Sequence, residues 1–252
     1  MFGQLTPITK NIIILNVMVY LISNFINPEL FYTILPAYYP GSPNFHSWQI
    51  ITHMFMHAPL NSGYGITHIL FNMLTLWSFG PVLENYLKEK RYLILYFASG
   101  LGAFILFNVW NYIEIRPIIS TLQEQGVNVA EIFSKSSFKF QGDLTINART
   151  QEGVQLSQQL FNDLRTPMLG ASGAIFGVVA AFSTLFPDSR LIFMFIPYPI
   201  KAKYLFPIII VVSLYLGFSG EMSGVAHFAH IGGAIVGFVL AKIWGKNIYR
   251  IR

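Results

Sequence analysis

The sequence contains no cysteine. That one absence removes disulfides, thiolate metal sites and a cysteine nucleophile together. Charge is scarce as well: 11% of the 252 residues are charged, where a soluble domain carries roughly 25%. Lysine and arginine are missing altogether from residues 28–63. A basic patch on a soluble face, the footprint of a nucleic-acid binder, is therefore absent despite a net charge of +5. What is present is apolar: 54% hydrophobic residues and a mean hydropathy of +0.52. The composition is that of a polytopic membrane protein, with the lipid bilayer as its partner.

Charge-free runs lie at about 11–27, 64–83, 92–112, 167–187, 204–219 and 225–241. A membrane helix needs about 20 apolar residues, so the pattern predicts an all-α bundle of six transmembrane helices. The first and fifth runs are short, and Lys203 lengthens the fifth by snorkelling. Asn27–Pro28 follows the first run in place of a small-residue cleavage site, which reads as a retained span rather than a signal peptide. Lys88, Lys90, Arg91, Arg190, Lys201, Lys203, Lys242 and Lys246 all fall on the side that also holds both termini. The positive-inside rule then puts the termini in the cytoplasm.

Two segments on the opposite side are long. Residues 28–63 are rich in Pro, Tyr, Phe, Trp and His, the composition of a structured loop at the membrane interface. Residues 113–166 are polar, and "QEGVQLSQQLFNDLR" sets Val154, Leu160, Phe161 and Leu164 at near-helical spacing, predicting a short amphipathic helix. No internal repeat or low-complexity tract interrupts the chain.

With both ends inside, the second, fourth and sixth runs enter from the outer face. Ser172 follows Pro167 by five residues, or roughly 7–8 Å of helix. His230 follows Val225 by the same five, His68 opens the second run, and Asn72 lies one turn deeper. A serine, two histidines and an asparagine thus share one layer, and polar groups at such depth point to function. Histidine is a suitable base for a serine nucleophile. Amide and imidazole N–H groups, with the Ser172 backbone amide, suit a developing oxyanion. No acidic residue falls within the runs, which leaves a Ser–His dyad rather than a triad. Gly173 and Gly177 follow Ser172 as Gly-x-x-x-Gly, and Gly233 and Gly237 follow His230 in the same way. Such pairs let membrane helices approach closely.

Bland readings compete. An isolated serine in a membrane helix usually bonds a carbonyl or a neighbouring helix, and Asn72 can serve as helix–helix glue. His227, one turn before His230, competes as base but stands nearer the interface. His53 and His57 have zinc-chelating spacing, yet no His-Glu-x-x-His exists, and with His46 they read as interfacial hydrogen-bonding residues. No metal and no cofactor is implied. A transporter using the same polar layer as a solute path is the reading from another class.

"GASG" at 170–173, "AHIGGAIVG" at 229–237 and "HILFN" at 68–72 together resemble the rhomboid family of intramembrane serine proteases. The resemblance covers all six runs in order and implies a single rhomboid-like domain over 1–252. It implies Ser172 as nucleophile within Gly170 and Gly173, His230 as base, and His68 and Asn72 as oxyanion contacts. Phe176 falls at a position implied to pack on the catalytic histidine. The implied activity is cleavage of transmembrane protein substrates near the outer face, at sites with helix-destabilising residues. A catalytically silent relative that binds transmembrane helices is the alternative within the family. Two features depart from the pattern: Trp48–Gln49 stands where Trp–Arg is frequent, and 113–166 is an enlarged third loop. The compact layout points to a bacterial inner membrane.

Overall fold

The computed structural model describes residues 4–142, 145–193, 196–219 and 224–248. Residues 1–3, 143–144, 194–195, 220–223 and 249–252 lie outside these, and with them most of the short connection between the fifth and sixth runs.

Helix α1 spans Pro7–Phe25, with proline at its first position, where the missing N–H costs nothing. Its free amides find a partner far along the chain. The Glu84 carboxylate accepts Ile8 N–H at 2.9 Å, Thr9 N–H at 2.8 Å and the Thr9 hydroxyl at 2.8 Å. Glu84 looks in sequence like the charge that ends the second run, but it is 3% exposed and caps α1. A carboxylate against a helix N-terminus is favourable on both hydrogen-bond and dipole grounds.

The first long segment holds α2 (Pro28–Ile34), capped by the Asn27 side chain at 3.0 Å from Leu30 N, and α3 (Gln49–Thr52). Helix α4 runs Gly65–Glu124 with a non-helical break at Lys88 (φ 67°, ψ 161°), so it takes in the second and third apolar runs as two arms. The far arm does not stop near 112 but continues into the polar segment. There it meets α5 (Val129–Lys135) and α6 (Gln151–Arg165). Helix α6 is the expected amphipathic helix. Its buried face is Gly153, Ser157, Leu160 and Leu164, while Val154 is 52% exposed and lies off it.

Helix α7 (Ser172–Leu185) is shorter than the run that predicts it. Residues 166–170 are not helical. Met168 pairs with Ala37 in an isolated antiparallel bridge, and Gly170 has φ 126°. Ser172 is thus the first residue of its helix, not a residue one turn down. A hairpin follows that hydropathy did not suggest, β1 (Arg190–Phe193) against β2 (Ile196–Lys201), with Arg190 opposite Lys201. Helices α8 (Leu205–Ser219) and α9 (Gly224–Ile248) complete the chain.

Helix α7 packs against both α4 and α9. Because lipid is as apolar as leucine, close packing rather than water exclusion holds such helices together. A Cβ added to Gly233 would overlap the Gly173 carbonyl, and one on Gly237 the Gly177 carbonyl, so α7 and α9 touch backbone to backbone. The outward faces carry exposed apolar rows: Ile14, Met18 and Leu21 on α1, Ile105 and Val109 on α4, Val211 and Tyr215 on α8, Ile235 and Val239 on α9. Pro7–Phe25, Gly65–Glu124 and His227–Gly245 are long and apolar enough to cross a membrane, while Ser172–Leu185 and Ala202–Tyr215 are shorter apolar helices. The protein is a mostly helical integral membrane protein.

Candidate active site

The packing of α7 against α9 sets the position of Ser172, and the extended segment 166–170 leads into it along the site. Met168 is held on both sides by Ala37, through Ala37 N–H to Met168 O at 2.9 Å and Met168 N–H to Ala37 O at 2.7 Å. Gly170 N–H then donates to His53 O at 3.0 Å. Gly170 sits at a φ that side chains rarely adopt, and the space beside it is needed. A Cβ there would stand 3.2 Å from His68 Nε2 and 3.4 Å from Ser172 Oγ. The gap over Gly170 is therefore bordered by the hydroxyl and an imidazole at once.

Because α7 begins at Ser172, the amides of Ser172, Gly173 and Ala174 have no carbonyl one turn back to bond; the first intrahelical bond is Ile175 N–H to Ala171 O at 3.0 Å. Free amides at the positive end of a helix suit an oxyanion. Ser172 Oγ lies 2.9 Å from His230 Nε2. The close glycine contact of α7 with α9 permits that reach. Phe176, one turn below Ser172, lies flat on the His230 ring, with centroids 4.1 Å apart and planes 2° from parallel. His227 lies edge-on to His230 at 6.0 Å and borders the same cavity, but the serine bond goes to His230.

His68 Nδ1 accepts the Ala58 N–H at 3.1 Å, so the neutral ring carries its proton on Nε2, the nitrogen facing the gap. Nothing in the sequence singles out Ala58, since the contact uses only its backbone. The Asn72 amide donates to His68 O in its own helix at 2.8 Å, and Asn72 lines a cavity with Ser172 and His230. Ser172, His230, His68, Asn72 and Phe176 thus gather here, with Gly170 beside them and Gly173, Gly233 and Gly237 in the seam below.

Ser172 and His230 stand between two cavities and line both. One, of about 650 Å³, is almost wholly apolar and opens between α4 and α8, lined by Phe71, Thr75, Phe79, Val179, Leu205 and Ile208. The other, of about 470 Å³, lies along 166–170 and is bordered by Pro59, Tyr64, His68 and His227.

The remaining histidines lie in the first long loop or pack beneath it. His53 is 1% exposed with Nδ1 2.7 Å from Gln49 O, and His57 is equally buried, edge-on to His68 at 5.2 Å; His46, by contrast, stacks on Trp48 at 4.4 Å. Gln49, standing where Trp–Arg was the frequent pair, is fully buried. Its Nε2 donates to Asn44 O at 3.1 Å and its Oε1 accepts His46 N–H at 3.0 Å, so a neutral amide braces this loop.

Comparison with known proteins gives the same direction. The Rhomboid domain family matches residues 44–113 and 150–247, leaving out most of the polar segment. Rhomboid protease GluP of Bacillus subtilis is 26% identical over 198 residues, 79% of this chain and 26% of its own length. Rhomboid protease AarA of Providencia stuartii is 29% identical over 179 residues, 69% of this chain and 50% of its own. Rhomboid protein 1, mitochondrial, of Saccharomyces cerevisiae is 28% identical over 185 residues, 73% of this chain and 40% of its own. The chain thus spans from a quarter to a half of the length of these relatives. With more than half of its residues matched by the family, this chain belongs to the rhomboid family.

Proposed function

We propose that this chain is an intramembrane serine endopeptidase that cleaves transmembrane segments of membrane proteins near the outer face. The observation that carries the reading is the 2.9 Å contact between Ser172 Oγ and His230 Nε2 beside a cluster of free helix-start amides. In the reaction, Ser172 Oγ attacks a peptide carbonyl while His230 Nε2 takes the hydroxyl proton. Negative charge on the carbonyl oxygen meets the Ser172 amide, His68 Nε2–H and the second N–H of the Asn72 amide. The C–N bond then breaks, and His230 returns the proton to the leaving amine. Water, deprotonated by His230, releases the acyl group from Ser172. Phe176 holds the imidazole in the plane that serves both partners.

The apolar cavity between α4 and α8 supports entry of a substrate helix from the lipid, and the more polar cavity along 166–170 supports access of water. A substrate must present an unpaired carbonyl, which favours segments whose helix is easily unwound. The arrangement proposed is a single domain of six spans with both termini cytoplasmic, the site toward the outside, in a bacterial inner membrane.

The test is cleavage of a single-span test protein in liposomes by the purified chain, with the cut located by mass spectrometry. The reading predicts a cut within or beside the span, close to its outer end. Products cut only in the soluble part of the test protein, or solute flux without cleavage, would contradict it.

A further inference from the structure

The polar segment 113–166 is a folded body. Ile115, Ile118 and Leu122 of the far arm of α4, Ile132 of α5, and Leu160 and Leu164 of α6 form an apolar cluster separate from that of the bundle. A loop with its own core is rigid enough to hold something else in place. Its hydrogen bonds show what it holds.

Asn44, 6% exposed in the first long loop, presents its amide to this body as a peptide unit would. Its Nδ2 donates to Ser136 O at 2.9 Å, where α5 ends, and its Oδ1 accepts Phe138 N–H at 2.9 Å. Two residues earlier, the Ser42 hydroxyl donates to Leu164 O at 2.6 Å, in the last turn of α6. Tyr38 meets Phe138 edge-on at 5.4 Å, and the Arg165 guanidinium lies 4.7 Å over the Phe138 ring. The same loop then reaches the other way, through Ala37 to Met168 and through His53 O to Gly170 N–H. The chain of contacts is closed. The inserted body grips the loop, the loop grips segment 166–170, and that segment both leaves α6 and leads into Ser172.

We infer that the inserted body and the first loop form a clamp that sets segment 166–170 as one wall of the substrate path, with Asn44 as its positioning residue. The inference rests on the proteolytic reading above and adds to it. A transmembrane substrate is unwound where it is cut, so several of its residues must lie along a fixed wall to bring one carbonyl to Ser172. A small reagent that meets only Ser172 and His230 needs no such wall. Loosening the clamp therefore separates the two reactions.

The experiment uses the full chain in detergent or liposomes, comparing wild type with Asn44→Ala and Ser42→Ala. Two rates are read: labelling of Ser172 by a small fluorophosphonate, and kcat and KM for a single-span protein substrate. Asn44→Ala strips the buried Ser136 carbonyl and the half-buried Phe138 amide of their partner. It is expected to lower kcat/KM about fivefold to tenfold, mainly through KM, with labelling within about twofold of wild type. Ser42→Ala removes the bond to Leu164 O and the hydroxyl that accepts Asn44 N–H at 3.2 Å, leaves the Asn44 side-chain bonds to Ser136 and Phe138 in place, and shows the same split at smaller size; it decides the matter if Asn44→Ala does not fold. Labelling that falls as far as cleavage overturns the proposal, because the contacts then merely hold the fold. Cleavage equal to wild type in both variants overturns it as well. Wild type that neither labels nor cleaves overturns the proteolytic reading, and the clamp with it.

Discussion

Helices α7 and α9 meet through Gly173, Gly177, Gly233 and Gly237, whereas α6 meets the far arm of α4 through Leu160 and Leu164 against Ile118 and Leu122. In the first seam the Gly173 and Gly177 carbonyls fill the space that a Cβ on Gly233 or Gly237 would need, while Ala103 and Ser99 of α4 stand against Gly173 and Gly177 themselves. The second is an ordinary leucine-rich contact in which a lost methyl leaves a cavity and a partial collapse. The seam that carries the proposed nucleophile and base is thus the intolerant one. A serine side chain is short, so its reach to a histidine on another helix depends on the backbones touching. The inserted body has no such demand on it and is built from standard parts.

That contrast is broken most sharply by Gly233→Leu. The added side chain forces α9 off α7, and both fluorophosphonate labelling and cleavage are expected to fall to background. Leu160→Ala, the matching change in the other seam, should cost about 2–5 kcal/mol locally and leave labelling near wild type. Hydrogen exchange of α5 and α6 measures that cost. Equal effects of the two substitutions on labelling would remove the distinction.

Smaller effects grade the site itself. His68→Ala is expected to lower kcat by about 10²–10³, the loss typical of one oxyanion donor. Asn72→Ala should cost less, about tenfold, because part of its amide is spent on His68 O in its own helix. Steady-state kinetics on one substrate ranks them, and a reversed order would point to Asn72 as the principal donor. Phe176→Ala should reduce kcat about tenfold with KM unchanged, and Phe176→Tyr, which keeps the stacked face, should restore most of it.

The smallest effect lies in the inserted body. Burial, with a lesser contribution from Glu114, pushes the Asp163 carboxyl up to about 6 from 3.8. The folded form therefore holds a proton that the unfolded segment has released between about pH 4 and 6. Stability of this body falls as pH rises through that window and is lowest above it. Exchange protection of α6 should be greater at about pH 5 than at about pH 8, and Asp163→Asn should flatten the difference. A wild-type body equally protected at both would show that Asp163 is not so placed.

From sequence, Ser172 stands one turn down a helix that begins at 167, because hydropathy does not distinguish an apolar extended segment from an apolar helix; in the structure it is the first residue of α7. Pro167 and Gly170 were the available signals, and they mark the true boundary. The correction matters chemically, since the start of a helix has free amides and its interior has none. Glycine spacing was legible because it reports backbone contact directly. Glu84 was misread as a boundary charge, since its partners are backbone amides of α1 that no side-chain pattern reveals. The hairpin at 190–201 and the grip of Asn44 on Ser136 and Phe138 were invisible for the same reason. Contacts made by main chain leave little mark on composition or period.

In the proposed reaction Ser172 is the group that reacts and His230 the group that activates it. The most direct measurement is mass-spectrometric mapping of the adduct formed by a fluorophosphonate on wild type, Ser172→Ala and His230→Ala, with cleavage of the single-span substrate followed in parallel. The account predicts an adduct on Ser172 in wild type, none in Ser172→Ala, and a loss of about 10⁴-fold or more in cleavage for both variants. Undiminished cleavage by Ser172→Ala, or an adduct on another residue of the wild type, would contradict it.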